Sequence, residues 1–545
     1  MSTTTKKKND NSPTKPAGPV DRGEPKLGEL IHIIDDPRIR REYFEMVIFV
    51  LVLVCFLRQF GAEAYVIPSG SMAPTLMGAN KVGTCPECGQ VSFVNARDEA
   101  EDGRVVVEGL CQNCQHPLEF TRGGVSSGDR VLVDKLEYQR NDGPAPWDVA
   151  VFKFPDGVRY DPNGQVRSAR TNYIKRVVGR PNQTIGIEFG DVFIKDDAKK
   201  EKEFTILRKP ERAVMATRRL VWDNDKQPKD LVAEGFPSRW APVTGSPFKA
   251  APDNKSFSLD EPKSGFIEYR HILRPRPKNQ GNKDTPDPSL ISDYEAYNTD
   301  NYHRVGSMAL GENWVGDLMV EATVELTKGD GSAIVELIKG HKTYRAELDV
   351  KAQKVNLYDG PKEVASAAAS LAVGSSYRVR FSDFDDRLFF WLNGTLLFQD
   401  GIDVPTPTRE ERGPIVADLN PVRLGTKDLA ATFSAIKVYR DIYYTKSARN
   451  LVSDVDRIGF VSLNTPQELE SYRSLLLAGK MRTYPTKADQ FFVLGDNSTH
   501  SADARDWDKV QYVDRGLLLG RAVVRYWPFV RFEGNWPVLE WKFVE

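Results

Sequence analysis

A chain of 545 residues exceeds what one hydrophobic core organises and divides into several domains. Its 75 basic and 76 acidic side chains cancel, leaving no global field to draw nucleic acid, and 40% hydrophobic with 28% charged residues is ordinary globular composition. Five cysteines in this length exclude a disulfide-dense secreted scaffold.

Residues 1–30 are rich in Lys, Asn, Pro and Thr and poor in large apolar side chains, so the stretch to residue 42 is expected to be a disordered tail. The most hydrophobic run follows, with twelve residues between Glu45 and Arg58. That is short against a bilayer span of about 20 residues and also fits a signal-peptide h-region or a buried helix. Arg58 can snorkel, residues 59–66 extend the apolar length, and an n-region of roughly 45 residues is too long for a cleavable signal. An uncleaved anchor over 43–63 is therefore expected. Arg38, Arg40 and Arg41 precede it and no Lys or Arg occurs from Gln59 to Asn80, which orients the N-terminus to the cytoplasm.

Just beyond comes Ser69-Gly70-Ser71-Met72-Ala73-Pro74. Ser and Gly before proline commonly make only a turn. Gly70 also lets a bound peptide approach the backbone, and Ser71 then stands at an uncrowded bend that suits a nucleophile.

Cys85-Pro86-Glu87-Cys88 and Cys111-Gln112-Asn113-Cys114 form two CxxC knuckles, spaced to hold one tetrahedral zinc as a ribbon over 85–114, with a strand expected at Arg104 to Glu108. A pair of disulfides is the alternative if these residues lie outside the cytoplasm. From Gly128 onward short β-branched runs read as an antiparallel β domain: Asp129 to Lys135, Trp147 to Pro155, Asn172 to Gly179. In the last of these Lys175 alternates onto the face of Tyr173 and Val177, where a lysine either loses its proton or finds a carboxylate; a solvated edge lysine is the plain alternative. Near the C-terminus a buried strand ends in a loop dense in small polar residues, Gly495-Asp496-Asn497-Ser498-Thr499-His500-Ser501-Ala502-Asp503-Ala504-Arg505-Asp506-Trp507.

Taken in order, Ser69 to Met72, Asp148 to Pro155, Tyr173 to Gly179 and Gly495 to Trp507 resemble the four boxes of type I signal peptidases behind one N-terminal anchor. The resemblance covers about a third of the chain. It implies Ser71 as nucleophile, Lys175 as its general base, Ser69 as an oxyanion-hole hydroxyl and Ser501 as the residue orienting the lysine. It implies Asp496, Asp503, Arg505 and Arg176 as ion-paired supports, and no cofactor for catalysis. Ala504, Asp506 and Asp508 depart from the family's usual residues without removing a catalytic group. His500 beside Ser501 invites a Ser-His-Asp alternative, for which the chain shows no matching histidine pattern.

The resemblance is interrupted after Asp196. Residues 201–300 read as an insert and linker, Pro-, Asn- and Asp-rich over 276–289, with Arg218, Arg219, Trp222, Arg239 and Trp240 as packing or surface residues. Regular alternation over 301–446, with an Asn393-Gly394 hairpin turn, indicates a β-sandwich that resembles concanavalin-like and laminin-G-like jelly rolls. No Glu-x-Asp-x-x-Glu run occurs, which favours glycan or protein binding, or scaffolding, over hydrolysis.

The expected whole is mainly β. A signal-peptidase domain assembled from 64–84, 115–200 and 484–545 stands behind the anchor, carries an inserted ribbon and an inserted sandwich, and has a connector over 447–483. Both inserts are expected to be peripheral, so that removing 200–480 leaves cleavage within about tenfold. Two functions compete: an endopeptidase of the inner membrane that removes signal peptides from exported preproteins, and a non-catalytic surface protein for adhesion or assembly built on a degenerate core. Nucleic acid is not an expected partner.

Overall fold

The computed structural model describes residues 37–56, 61–120, 124–140, 142–155, 159–160, 166–167, 171–275, 287–301, 310–447, 463–507, 510–528, 530–533, 536–539 and 542–544. Residues 1–36, most of the expected tail, lie outside these. The chain divides into two units, 1–61 and 62–545.

In the first unit the apolar run forms a helix, Pro37–Phe56, whose large apolar side chains from Tyr43 to Leu53 are exposed. The expected span of 43–63 is not realised as drawn. Glu42 and Glu45 lie inside the helix, a strand begins at Ala62, and the uncharged part from Met46 to Phe56 rises only about 16 Å against roughly 30 Å of hydrocarbon. Among the described residues no helix is long and apolar enough to cross a membrane.

The second unit is mainly β. Its eight-stranded antiparallel sheet runs in the order Ala62–Val66, Arg130–Asp134, Leu518–Trp527, Val149–Lys153, Asn172–Gly179, Gln490–Leu494, Val513–Asp514, with Lys542–Phe543 on the long Leu518–Trp527 strand. Strands from both ends of the chain interleave here, so the sheet closes only when residues near 490–527 return to it. Asn172–Gly179 is an interior strand, flanked by Val149–Lys153 and Gln490–Leu494, and six consecutive residues from Ile174 to Gly179 are buried. A four-stranded sheet, Thr205–Ile206, Asp191–Asp196, Gln183–Glu188, Arg482–Pro485, extends the core through Ile185, Ile187 and Tyr484.

The third sheet has thirteen strands, organised on two long ones, Leu318–Lys339 and Val422–Arg440. It does not begin at 301. Arg219–Asp223, Trp240–Pro242 and Phe257–Tyr269 already belong to it, so much of the expected insert and linker is sheet. These short strands carry Arg219 and Asp223 at buried positions, which hides their periodicity. Asn393 and Gly394 both take positive φ, 51° and 85°, as a two-residue hairpin turn between twisted strands requires. The expected connector contains a helix, Pro466–Ala478, capped by reciprocal hydrogen bonds of Thr465 and Glu468 with Pro at its first position.

Between the two knuckles, Arg97–Asp102 is helical and the strand falls at Glu108–Leu110, later than expected. The four cysteines share one buried cluster with Trp222, Trp240 and Tyr269, so the knuckle region is packed against the large sheet.

Candidate active site

Ser71 sits in a single 3₁₀ turn, Gly70–Met72, within a loop closed where Ala79 N–H donates to Pro68 O and anchored where Met77 N–H donates to buried Asp129. Gly70 is obligatory for packing: a Cβ there would lie 2.3 Å from the Tyr297 ring. Ser69 takes extended φ and ψ, −107° and 150°, and its hydroxyl makes no capping bond to the turn.

Lys175 pairs opposite Ala150, and its Nζ lies 2.5 Å from Ser71 Oγ and 3.1 Å from Ile174 O. It is 2% exposed, with the Tyr173 ring 5.6 Å from the amine. Burial lowers its pKa to about 8 despite the pull of Asp503 and Asp496, which Arg505 partly opposes. Each carboxylate is held by its own guanidinium. Arg176 grips Asp496 through two hydrogen bonds of 2.8 and 2.6 Å, and Arg505 grips Asp503 through two of 2.8 and 2.7 Å. The lysine therefore faces paired charges rather than free anions, and desolvation prevails. Burial alone would raise Asp496, yet the Arg176 guanidinium holds it below the ordinary carboxylate range.

Asp503 also accepts from Gly495 N–H at 2.9 Å, and Arg505 donates to Thr445 O, Thr445 Oγ1 and Ser498 Oγ. Ser501 does not join this network. Its hydroxyl is buried without a hydrogen-bond partner, packed where a Cβ on Gly495 would stand, and no bond reaches Lys175. His500 bonds to Thr499 at 2.9 Å and not to Ser71.

Sequence reasoning missed the groups that clamp the Ser71 loop. Asn497 N–H donates to Ser71 O at 3.1 Å and its side-chain amide to Gly70 O at 3.0 Å. Asn298 forms a reciprocal amide pair with Asn497, 2.8 Å in both directions. Tyr297 Oη donates to Ala79 O at 3.2 Å, and Arg219 donates to Thr75 Oγ1 at 3.1 Å. Asn298, Tyr297, Arg219 and Thr445 all belong to the supposedly peripheral insert, whose removal would strip the loop and the Arg505 network of these contacts. Asn497 stood in a loop already conspicuous for polar residues; nothing local marked Tyr297 or Asn298.

The cysteines form the other cluster. All four are free and buried, with Cys85 and Cys114 Sγ 3.6 Å apart and Cys88 and Cys111 Sγ 3.5 Å apart. A disulfide requires about 2.05 Å, whereas a tetrahedron of 2.3 Å metal–sulfur bonds has edges of about 3.8 Å. The second knuckle is tied to the nucleophile clamp: Tyr294 Oη donates to Cys111 O, Ala296 N–H to Gln112 Oε1, and Leu110 N–H to Thr299 Oγ1.

A family model described as signal peptidase, peptidase S26, matches residues 103–269, which include Lys175 and one of its two neighbouring strands, Val149–Lys153, but not Ser71. This match supports a peptidase. Over parts of its length the chain is similar to type I signal peptidases. It is 52% identical to signal peptidase I of Leptolyngbya laminosa over 44 residues, 8% of this chain and 20% of that protein. A probable signal peptidase I-2 of Synechocystis is 51% identical over 43 residues, 8% and 18% respectively. The chain thus spans about a fifth of the length of the curated relatives it matches. Among solved structures, a carbohydrate-binding module from Bacillus subtilis aligns at 13% identity over 37% of this chain and 95% of the module, with a TM-score of 0.23. A galectin from Caenorhabditis elegans aligns at 9% identity over 23% and 82%, with a TM-score of 0.16.

Proposed function

We propose that the chain is a membrane-bound serine endopeptidase that removes signal peptides from exported preproteins through a Ser71–Lys175 dyad. The observation that carries this reading is the 2.5 Å approach of a fully desolvated lysine to Ser71 Oγ. With a pKa near 8, a substantial neutral fraction of Lys175 exists at mildly alkaline pH. Ser71 O–H then gives its proton to Lys175 Nζ as Oγ adds to the scissile carbonyl. The developing oxyanion is met by Ser71 N–H and the Ser69 hydroxyl. The lysine ammonium protonates the leaving amine, and the regenerated amine next deprotonates the water that hydrolyses the acyl-enzyme. Asp496, Asp503, Arg176 and Arg505 fix this geometry as two self-neutralised pairs, and Ser501 fills the space beside Ser71 O. The strand Ala62–Val66 ends the described sheet with one edge free, where an extended peptide adds as a further strand leading to Ser71.

The exposed apolar side chains of the helix Pro37–Phe56 support an N-terminal anchor to the inner membrane, with the N-terminus cytoplasmic. Cys85, Cys88, Cys111 and Cys114 fit a structural zinc ion, which supplies cross-linking and no chemistry to cleavage. The large sheet is read as the jelly roll, with glycan or protein ligands. A non-catalytic adhesion role has no use for a desolvated lysine held on a serine.

Cleavage of a preprotein by purified wild type, Ser71→Ala, Lys175→Ala and the double variant tests the dyad. Each single change is expected to cost about a thousandfold or more, and the double no more than either, because the two residues act as one unit. A Lys175→Ala enzyme that keeps most of its activity would sink the assignment.

A further inference from the structure

Residues between Trp222 and Ile272, together with Cys114, line a second feature that peptide cleavage leaves without a task. Trp222, Leu231, Phe236, Ile272, Ser238 and Arg239 are among the walls of a cavity of ≈ 200 Å³, against roughly 10–15 Å³ to hold one water. The walls mix these apolar side chains with polar ones, Gln227 and Asn254 among them, and one charge enters them. Arg239 is 7% exposed, with its guanidinium 4.2 Å from the centre of the Trp222 ring. Its Nη1 is buried with no hydrogen-bond partner, and so is the neighbouring Ser238 Oγ.

Arg239 has the Tyr269 hydroxyl as a partner, whereas other buried guanidiniums are more fully engaged. Arg176 and Arg505 each hold a carboxylate through two hydrogen bonds. Arg440 donates to the carbonyls of Asp441 and Tyr294. Among the described residues no carboxylate lies within salt-bridge distance of Arg239. A buried cation without a counter-charge is costly, and a planar guanidinium beside a hydroxyl presents donors matched to a carboxylate. Burial and the adjacent Arg239 both hold His271 well below its ordinary pKa, so the histidine stays neutral and the guanidinium is the fixed positive charge there.

We propose that this cavity binds a small carboxylate, its anionic end paired with Arg239 and the Ser238 hydroxyl and its apolar or planar body against Leu231, Phe236 and Ile272. The site is independent of Ser71 and Lys175, so its test needs no turnover. Isothermal titration of the full chain in detergent, with benzoate, benzyl alcohol and inorganic phosphate as probes, separates charge from shape. Benzoate is expected to bind once and saturably, with benzyl alcohol weaker by about tenfold or more. Arg239→Gln is expected to lose about tenfold in benzoate affinity while its unfolding midpoint without ligand is unchanged or higher, since the unpaired charge is gone. Equal binding of the acid and the alcohol, unchanged binding in Arg239→Gln, or no saturation by about 20 mM benzoate would each overturn the proposal. Phosphate binding without benzoate binding would overturn the carboxylate assignment. Should Arg239→Gln fail to fold, the benzoate and benzyl alcohol comparison on the wild type decides alone.

Discussion

Replacing Lys175 with methionine separates the cost of the site from its chemistry. Methionine keeps the volume and apolar stem but removes the amine. The fall of the lysine pKa from 10.5 to about 8 corresponds to about 3 kcal/mol that the folded state spends on holding a desolvated ammonium. The folded pKa is depressed, so below about pH 8 both folded and unfolded lysine are protonated and the penalty is complete. Between about 8 and 10.5 the unfolded state binds more protons, wild-type stability rises, and the penalty vanishes. Against this, Lys175→Met loses two hydrogen bonds, to Ser71 Oγ and Ile174 O, about 2 kcal/mol together. The variant is therefore expected to be about 1 kcal/mol more stable than wild type at pH 7, to lose that advantage by about pH 9, and to be inactive throughout. Urea unfolding followed by tryptophan fluorescence at several pH values measures it, because Trp147 and Trp507 lie in the same core. A Lys175→Met protein less stable than wild type at pH 7 would refute the reasoning that the amine is held against desolvation.

Wild-type kcat/KM should rise with pH through an apparent pKa near 8 and show no such limb in residual Lys175→Ala activity; a flat profile from pH 6 to 9 contradicts a lysine base. Asn298→Ala breaks the amide pair that steadies Asn497 and should lower kcat about tenfold with KM little changed, checked by steady-state cleavage of a peptide substrate. Gly70→Ala drives a methyl into Tyr297 and should cost at least about tenfold, with partial recovery when Tyr297→Ala is added. Removing metal with a chelator, or Cys111→Ser, should free the segment hydrogen-bonded to the second knuckle and depress cleavage together with stability, and zinc should restore the chelated protein; unaltered activity in metal-free protein would show the two clusters to be uncoupled.

Local texture carried much of the site. The Ser-Gly-Ser turn, the β-branched strand around Lys175, the Asp–Arg loop and the paired CxxC motifs are short-range patterns, and each is found where chain order placed it. Burial was less legible. Read alone, Asn172–Gly179 allows an edge lysine, and only the return of Gln490–Leu494, over three hundred residues later, makes that strand interior and desolvates Lys175. The same limit applies to Tyr297 and Asn298, whose partners at Gly70 and Asn497 are remote in sequence on both sides. A polar pair of this kind has no periodicity, and a segment read as linker offered no reason to look. Ser501 shows the converse: a motif match supplied a role, and the packing around Gly495 gave its hydroxyl no bond to the lysine.

The clamp on Ser71 also sets when the proposed dyad is assembled. The nucleophile leaves the ribosome early and its lysine about a hundred residues later, yet Asn298, Thr445, Asn497 and Arg505 follow far downstream. Contacts of such long sequence separation form late in folding. A nascent or truncated chain ending anywhere before the last loop therefore carries serine and lysine without the frame that holds them, and the proposed cleavage activity would be withheld until that loop has been made.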